Sequence, residues 1–315
     1  MSVRRALLAF ALCCLTALPL SAPAGAQRQS ADFAGFVSIE NGRSVYLECR
    51  GQGAPTVMLE AGLRNRGDIW NVADVPGGDA DSVFSVIAKR NRVCEYDRPG
   101  TVCAADELSR SDPIRQPRTT AAIVRDLHQL LRAARVPGPY VMVGHSTGGL
   151  IARQYAGRHP KQIAGLVLVD AISEGMQDAM KPKQFAFYNR AYLIAAPESI
   201  AAYPDLETVD FYRSFDQLRR KPAPPRPIPE VTITKGKGFG APDGVAESFA
   251  DFVDRKWERN QRYLASLQPQ IRRFFARESG HYVQVQQPAL VVKAIRRVIR
   301  LARSSSRKSC QTARL

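Results

Sequence analysis

Residues 140–149 of the chain read YVMVGHSTGG. The first four residues are apolar or aromatic and suit a buried strand, and the apolar side chains after residue 149 recur at helical spacing. Gly144 and Gly148 lie two residues before and two after Ser146, which permits a turn so tight that the serine projects from the sheet edge. The backbone N–H groups of the following helix favour negative charge. The stretch therefore predicts a strand-to-helix turn that presents Ser146 as a nucleophile; the alternative is a serine that only caps the helix.

Around this turn, short apolar and β-branched runs alternate with helical patterns. The clearest helix is expected over residues 119–134, where Ile123, Leu127, Leu130 and Leu131 recur on one face. Such alternation indicates an α/β fold with a mostly parallel central sheet flanked by helices. The predicted strands are Val45–Glu48, Thr56–Glu60, Arg92–Tyr96, Tyr140–Val143, Leu166–Val169, Val231–Thr234 and Arg273–Ala276.

One long interval, residues 173–228, has no strand-like run and carries helical patches and a proline-rich end. We interpret it as a helical cap inserted between two halves of the core, residues 36–172 and 229–300, with residues 301–315 as a basic, disordered tail. Six aromatic residues in the cap suggest an apolar lining, although packing of the cap on the core explains them equally well. They are Phe185, Phe187, Tyr188, Tyr192, Phe211 and Tyr212.

Five stretches together resemble the α/β-hydrolase superfamily, and the likeness runs from about Val45 to Arg300 with only the cap unmatched. They are residues 55–62 (PTVMLEAG), 96–100 (YDRPG), 138–150 (GPYVMVGHSTGGL), 166–170 (LVLVD) and 279–282 (SGHY). The resemblance implies the α/β-hydrolase fold and an esterase-like serine hydrolase.

A serine nucleophile needs a base, most often histidine, and the chain has four histidines. His128 lies in the predicted helix, His159 precedes a proline at a helix end, and His145 adjoins the nucleophile and is expected to point elsewhere on the turn. His281 remains, and it occupies the Ser-Gly-His loop after the last predicted strand, where the resembling family places its base.

The acid that orients the histidine is left open between two residues. The family often places it after the strand over residues 231–234, yet residues 235–240 read KGKGFG and contain no carboxylate. Asp243 follows a few residues later. Asp170 ends the strand over residues 166–169, the alternative position that some lipases of this fold use. Asp254 is a third, less favoured candidate.

The oxyanion donors that the fold implies are the backbone N–H groups of Leu63 and Thr147. The chain contains no H-E-x-x-H, paired C-x-x-C or G-x-x-x-x-G-K-[ST] motif, so neither a metal nor a cofactor is expected. The predicted reaction is hydrolysis of a carboxylic ester of a small-molecule acyl substrate through an acyl-enzyme on Ser146. Carbon–carbon bond hydrolysis, acyl transfer, perhydrolysis and a non-catalytic binding module are the alternatives.

The N-terminus has the pattern of a secretory signal peptide over residues 1–26: two arginines, a short apolar run and an Ala-Gly-Ala site. Export to the periplasm or medium is therefore expected, and it permits disulfides. The mature chain would keep Cys49, Cys94, Cys103 and Cys310. Cys49 and Cys94 fall at predicted strands and form the favoured pair, with buried free thiols as the alternative.

The chain carries a formal net charge of +16, part of it in a C-terminal run of cations without acids. This run is expected to be a solvated helix face and a tail that could make weak contact with an anionic surface. No aromatic residues interleave with the charges, so nucleic-acid binding is not expected.

Overall fold

A computed structural model describes residues 32–312 except 77, 79, 104–106, 222–226 and 269–270, and it does not describe the side chains of residues 306–312. The predicted signal peptide, residues 1–26, and most of the proline-rich end of the cap lie outside the described residues.

The centre of the molecule is an eight-stranded sheet in the order β1-β2-β4-β3-β5-β6-β7-β8. The first two strands are antiparallel to their neighbours, and the other six run parallel. The mostly parallel α/β fold predicted from the sequence is confirmed. The strands are β1 Phe33–Ser38, β2 Ser44–Arg50, β3 Thr56–Glu60, β4 Val93–Tyr96, β5 Tyr140–His145, β6 Ile163–Val169, β7 Glu230–Lys235 and β8 Arg272–Ala276.

Ten α-helices in the described residues surround this sheet. They are α1 Val83–Ala88, α2 Thr120–Ala133, α3 Thr147–Arg158, α4 Glu174–Asp178, α5 Pro182–Tyr188, α6 Pro197–Ala202, α7 Phe211–Arg220, α8 Glu247–Ser266, α9 Val283–Gln286 and α10 Pro288–Thr312. Residues 173–228 contribute α4 to α7 and one π-helical turn, Asn189–Leu193, and their described part contains no strand.

The strand before Ser146 is buried on both faces, which explains its continuous apolar run. Val141 and Val143 of β5 belong to the core cluster that α1 and α10 cover. Tyr140 and Met142 belong to the opposite cluster, which α2 and α3 cover. Helices on both faces therefore hold the elbow strand at the centre of the sheet.

Two local predictions are corrected. The sheet begins with β1, which the sequence did not predict because this edge strand is largely exposed. Helix α10 continues to Thr312, so the expected disordered tail is helical over residues 301–312. Valine and isoleucine side chains on one face of α10 are buried in the core and stabilise the helix, while Lys293 and Arg296 are exposed. Contact between these cations and an anionic surface stays a prediction.

A disulfide joins Cys49 on β2 to Cys94 on β4, the pairing that the strand positions favoured. Cys103 is an exposed free thiol, and the side chain of Cys310 lies outside the described residues. No helix in the described part of the chain is long and apolar enough to span a membrane.

Candidate active site

The elbow places Ser146 between β5 and α3 with φ 52° and ψ −119°, a conformation that side chains rarely adopt. The turn is too crowded for any side chain at the two flanking glycines. A Cβ on Gly144 would lie 2.3 Å from the Gly148 carbonyl oxygen, and one on Gly148 would lie 2.2 Å from the Glu60 carbonyl oxygen. The glycine spacing is therefore a steric requirement of the turn.

Asp170 and His281 meet beside this turn. His281 lies in the loop between β8 and α9, and its Nδ1 is 2.7 Å from Asp170 Oδ2. Ser146 and His281 line the same cavity, whose volume is about 180 Å³. The structure thus brings together the predicted nucleophile, the predicted base and one of the two candidate acids.

The Asp170 carboxylate is fully buried and accepts three hydrogen bonds. Besides the His281 ring, Oδ1 accepts from the Lys235 backbone N–H at 3.1 Å and from Trp257 Nε1 at 2.9 Å. Its backbone has φ 42° and donates to the Ile233 carbonyl at 2.7 Å. Such donors stabilise an ionised carboxylate and fix its orientation.

The two other acids considered from the sequence lie elsewhere. Asp243 is exposed on the surface. Asp254 accepts from Lys235 Nζ at 2.7 Å and from the Phe239 backbone N–H at 3.2 Å. Neither forms a hydrogen bond with His281 among the described contacts.

His145 contacts the loop that carries His281, an interaction that the sequence did not predict. Its Nε2 is 2.9 Å from the His281 carbonyl oxygen, and because that oxygen can only accept, Nε2 donates. Burial lowers the pKa of His145 well below its usual range, and the electrostatic effect of nearby His281 lowers this pKa further. The ring is therefore neutral at pH 7. His145 therefore holds the backbone of the His281 loop rather than exchanging a proton with Ser146.

A buried arginine organises the loop that carries the second predicted oxyanion donor. Arg98 donates to the carbonyls of Ala61 at 3.0 Å and Gly62 at 2.6 Å, the two residues before Leu63. It also pairs with Glu60 at 2.7 Å and with Glu207 of the cap at 2.6 Å. Burial raises the pKa of Glu60 to about 7, against the opposing effect of Arg98. Arg98, in the stretch over residues 96–100, thus connects this loop to both the core and the cap.

In the described structure, the backbone N–H groups of Leu63 and Thr147 donate to no protein acceptor. Thr147 is the first residue of α3, where helical N–H groups have no partner within the helix. Both predicted donors therefore remain available to a ligand near Ser146.

The cavity wall is mostly apolar and aromatic. Two of the six cap aromatics, Tyr188 and Tyr192, line it. Phe185 and Phe211 are buried in the core, as expected from the alternative that these aromatics pack the cap on the core. Within the described residues, no cluster of three or more His, Cys, Asp or Glu side chains could hold a metal ion.

Comparison with known proteins agrees with the observed fold. The model of the family described as alpha/beta hydrolase fold matches residues 78–294. The chain therefore belongs to the α/β-hydrolase family. It is 24% identical over 250 residues to the uncharacterized protein YqjL of Bacillus subtilis, covering 78% of this chain and 84% of that protein.

Two solved structures share the fold at low sequence identity. Est816, described as an N-acyl homoserine lactone degrading enzyme, superposes with a TM-score of 0.53 at 17% identity, covering 83% of this chain and 99% of Est816. A thermophilic esterase from Thermogutta terrifontis gives a TM-score of 0.50 at 17% identity, covering 86% and 99%. These two structures show the fold alone, whereas membership of the family supports hydrolase activity for this chain.

Proposed function

We propose that the protein hydrolyses a carboxylic ester of a small-molecule acyl substrate through an acyl-enzyme on Ser146. The observation that carries the proposal is the 2.7 Å contact between His281 Nδ1 and the buried Asp170 carboxylate, beside a serine held at a strained turn in the same cavity. His281 acts as general base, and Asp170 orients it.

In the first half-reaction, His281 Nε2 accepts the Ser146 proton as the serine oxygen attacks the ester carbonyl. The oxyanion accepts hydrogen bonds from the backbone N–H groups of Leu63 and Thr147. His281 then gives the proton to the departing alcohol. In the second half-reaction, His281 takes a proton from water, and the resulting hydroxide attacks the carbonyl of the acyl-enzyme. His281 then returns this proton to the Ser146 oxygen, and the carboxylic acid is released.

Asp170 keeps the proton of His281 on Nδ1, which leaves Nε2 free to accept, and its charge stabilises the imidazolium that forms. The three donors on the carboxylate support this role because they fix its orientation toward His281.

The test is labelling of the purified, folded protein with a fluorophosphonate probe, combined with turnover of a short-chain p-nitrophenyl ester. We expect one covalent adduct at Ser146, located by peptide mass spectrometry, and none in Ser146→Ala. A folded protein that takes no label would favour the non-catalytic binding module. Labelling without turnover of any ester would leave the nucleophile in place and contradict ester hydrolysis.

Replacing Trp257 with phenylalanine should reduce kcat by roughly ten- to a hundredfold, because Asp170 loses a hydrogen bond to a charged acceptor while the aromatic packing is kept. Steady-state kinetics on a p-nitrophenyl ester would measure the effect.

Trp70→Phe is the matched control. Trp70 is also fully buried, and its Nε1 has no hydrogen-bond partner among the described residues. The control should keep kcat within about twofold even if the cavity it leaves lowers stability. Equal losses in the two variants would mean that the Trp257 contact has no specific role.

A further inference from the structure

Arg64 lies at the boundary between two cavities. It follows Leu63, and it lines both the 180 Å³ cavity of Ser146 and an adjoining open pocket of about 730 Å³ whose wall is formed mainly by cap residues. Its backbone N–H donates to Glu207 Oε2 at 2.7 Å, and its φ is 61°. The position of the residue is therefore fixed by the same carboxylate that pairs with Arg98.

The positive charge of Arg64 is partly offset by Glu207, a carboxylate that already pairs with Arg98. Its Nη1 donates to the Leu193 carbonyl at 2.9 Å, and in the described part of the chain no carboxylate forms an ion pair with it. The nearby Glu207 accepts from Arg98 Nε at 2.6 Å and Nη2 at 2.9 Å. Burial lowers the pKa of Arg64, although the group stays charged at pH 7.

A guanidinium has five N–H donors, and the Leu193 carbonyl occupies one of them. Among the residues that line the Ser146 cavity in the described structure, Arg64 is the one with a permanent charge. Much of the remaining wall is apolar or aromatic, as at Ile172 and Tyr188, and suits methylene groups. The cavity thus combines one cation with apolar surface.

We propose that Arg64 binds a carboxylate on the acyl part of the substrate, so that the preferred substrates are half-esters of short dicarboxylic acids. This inference rests on the proposed ester hydrolysis. Because neighbouring Cα atoms are about 3.8 Å apart, Arg64 is adjacent to the Leu63 oxyanion donor. Leu193, whose carbonyl accepts from the Arg64 guanidinium, lines the same cavity as Ser146, so the guanidinium lies at the wall of this cavity. Its planar group matches a carboxylate with two parallel hydrogen bonds.

A merely structural role is the rival explanation, since the contact between Nη1 and Leu193 also ties the loop to the cap. Such a role would affect every substrate equally. Charge recognition would affect only the anionic one, so a pair of substrates with the same shape separates the two.

The experiment compares monoethyl glutarate with its neutral isostere, the ethyl ester of glutaramic acid, by pH-stat titration of the acid released. The native protein should favour the carboxylate substrate by about tenfold or more in kcat/KM, mainly through KM. Arg64→Gln should abolish this ratio, because kcat/KM for the carboxylate substrate falls further than kcat/KM for the amide substrate, and Arg64→Lys should restore part of the ratio. Arg190→Gln, which removes an exposed cation from the same cap, should preserve the ratio.

Equal kcat/KM values in the native protein, or parallel losses on both substrates in Arg64→Gln, would overturn the inference. Calorimetric titration of Ser146→Ala with the same two compounds tests it without turnover. Tighter binding of the half-ester supports the carboxylate site even if no ester is hydrolysed, an outcome that would refute the proposed function alone. Equal or undetectable binding of the two compounds counts against the site itself.

Discussion

Ser146→Ala is expected to lower kcat for ester hydrolysis about a millionfold, because the variant lacks the hydroxyl that forms the acyl-enzyme. The measurement is steady-state turnover of a p-nitrophenyl ester, supported by circular dichroism to show that the variant folds. Turnover within a hundredfold of the native rate would rule out Ser146 as the nucleophile.

Ser146→Gly provides a second variant at the same position. It should lose activity to the same extent as Ser146→Ala. Its free energy of unfolding should nevertheless exceed that of the alanine variant by roughly 1 kcal/mol, since glycine adopts a φ of 52° without strain. Chemical denaturation of the two variants would separate the effect of the hydroxyl from the strain of the turn. A glycine variant no more stable than the alanine variant would contradict the strain argument.

Asp170→Asn should reduce kcat about 10⁴-fold while leaving the structure intact. The asparagine oxygen can still accept from Lys235 and Trp257, so its amide group then faces His281 Nδ1. That nitrogen would have to accept the hydrogen bond, the ring proton would move to Nε2, and Nε2 could no longer take the proton of Ser146.

Asp243→Asn is the control for this prediction, because Asp243 is exposed and was the second acid considered from the sequence. Its kcat should stay within about twofold of the native value. A loss of activity in Asp243→Asn comparable to that in Asp170→Asn would show that the acid assignment is wrong.

The sequence predicted the sheet well where strands are buried on both faces. Residues 56–60 form β3 with the expected bounds, and all five residues are buried. The edge strand β1 escaped prediction since it pairs on one side only and exposes Phe36 to solvent. Its sequence therefore lacks the continuous apolar run of a central strand.

The sequence predicted the nucleophile and the base of the candidate site but did not decide between the two acids. Ser146 and His281 follow from local motifs, whereas the choice between Asp170 and Asp243 depends on the path of residues 235–243, which the sequence does not determine. Trp257 was missed because it reaches Asp170 from α8, 87 residues away along the chain. The available signal was that a buried indole N–H usually has a hydrogen-bond partner.

The backbone contacts around the elbow have a consequence for how such a protein can be changed. The Ser146 N–H donates to the Val169 carbonyl at 3.0 Å, so the serine and Asp170 are positioned by the ladder between neighbouring strands, before the chain enters residues 173–228. An engineer, or natural divergence, can therefore exchange the cap to alter selectivity without moving these two residues apart. Two buried carboxylates constrain such a chimera. Without Glu207, Arg98 and the loop before Leu63 lose their partner from the cap. Without Glu174, the buried Arg153 of α3 loses its ion-pair partner.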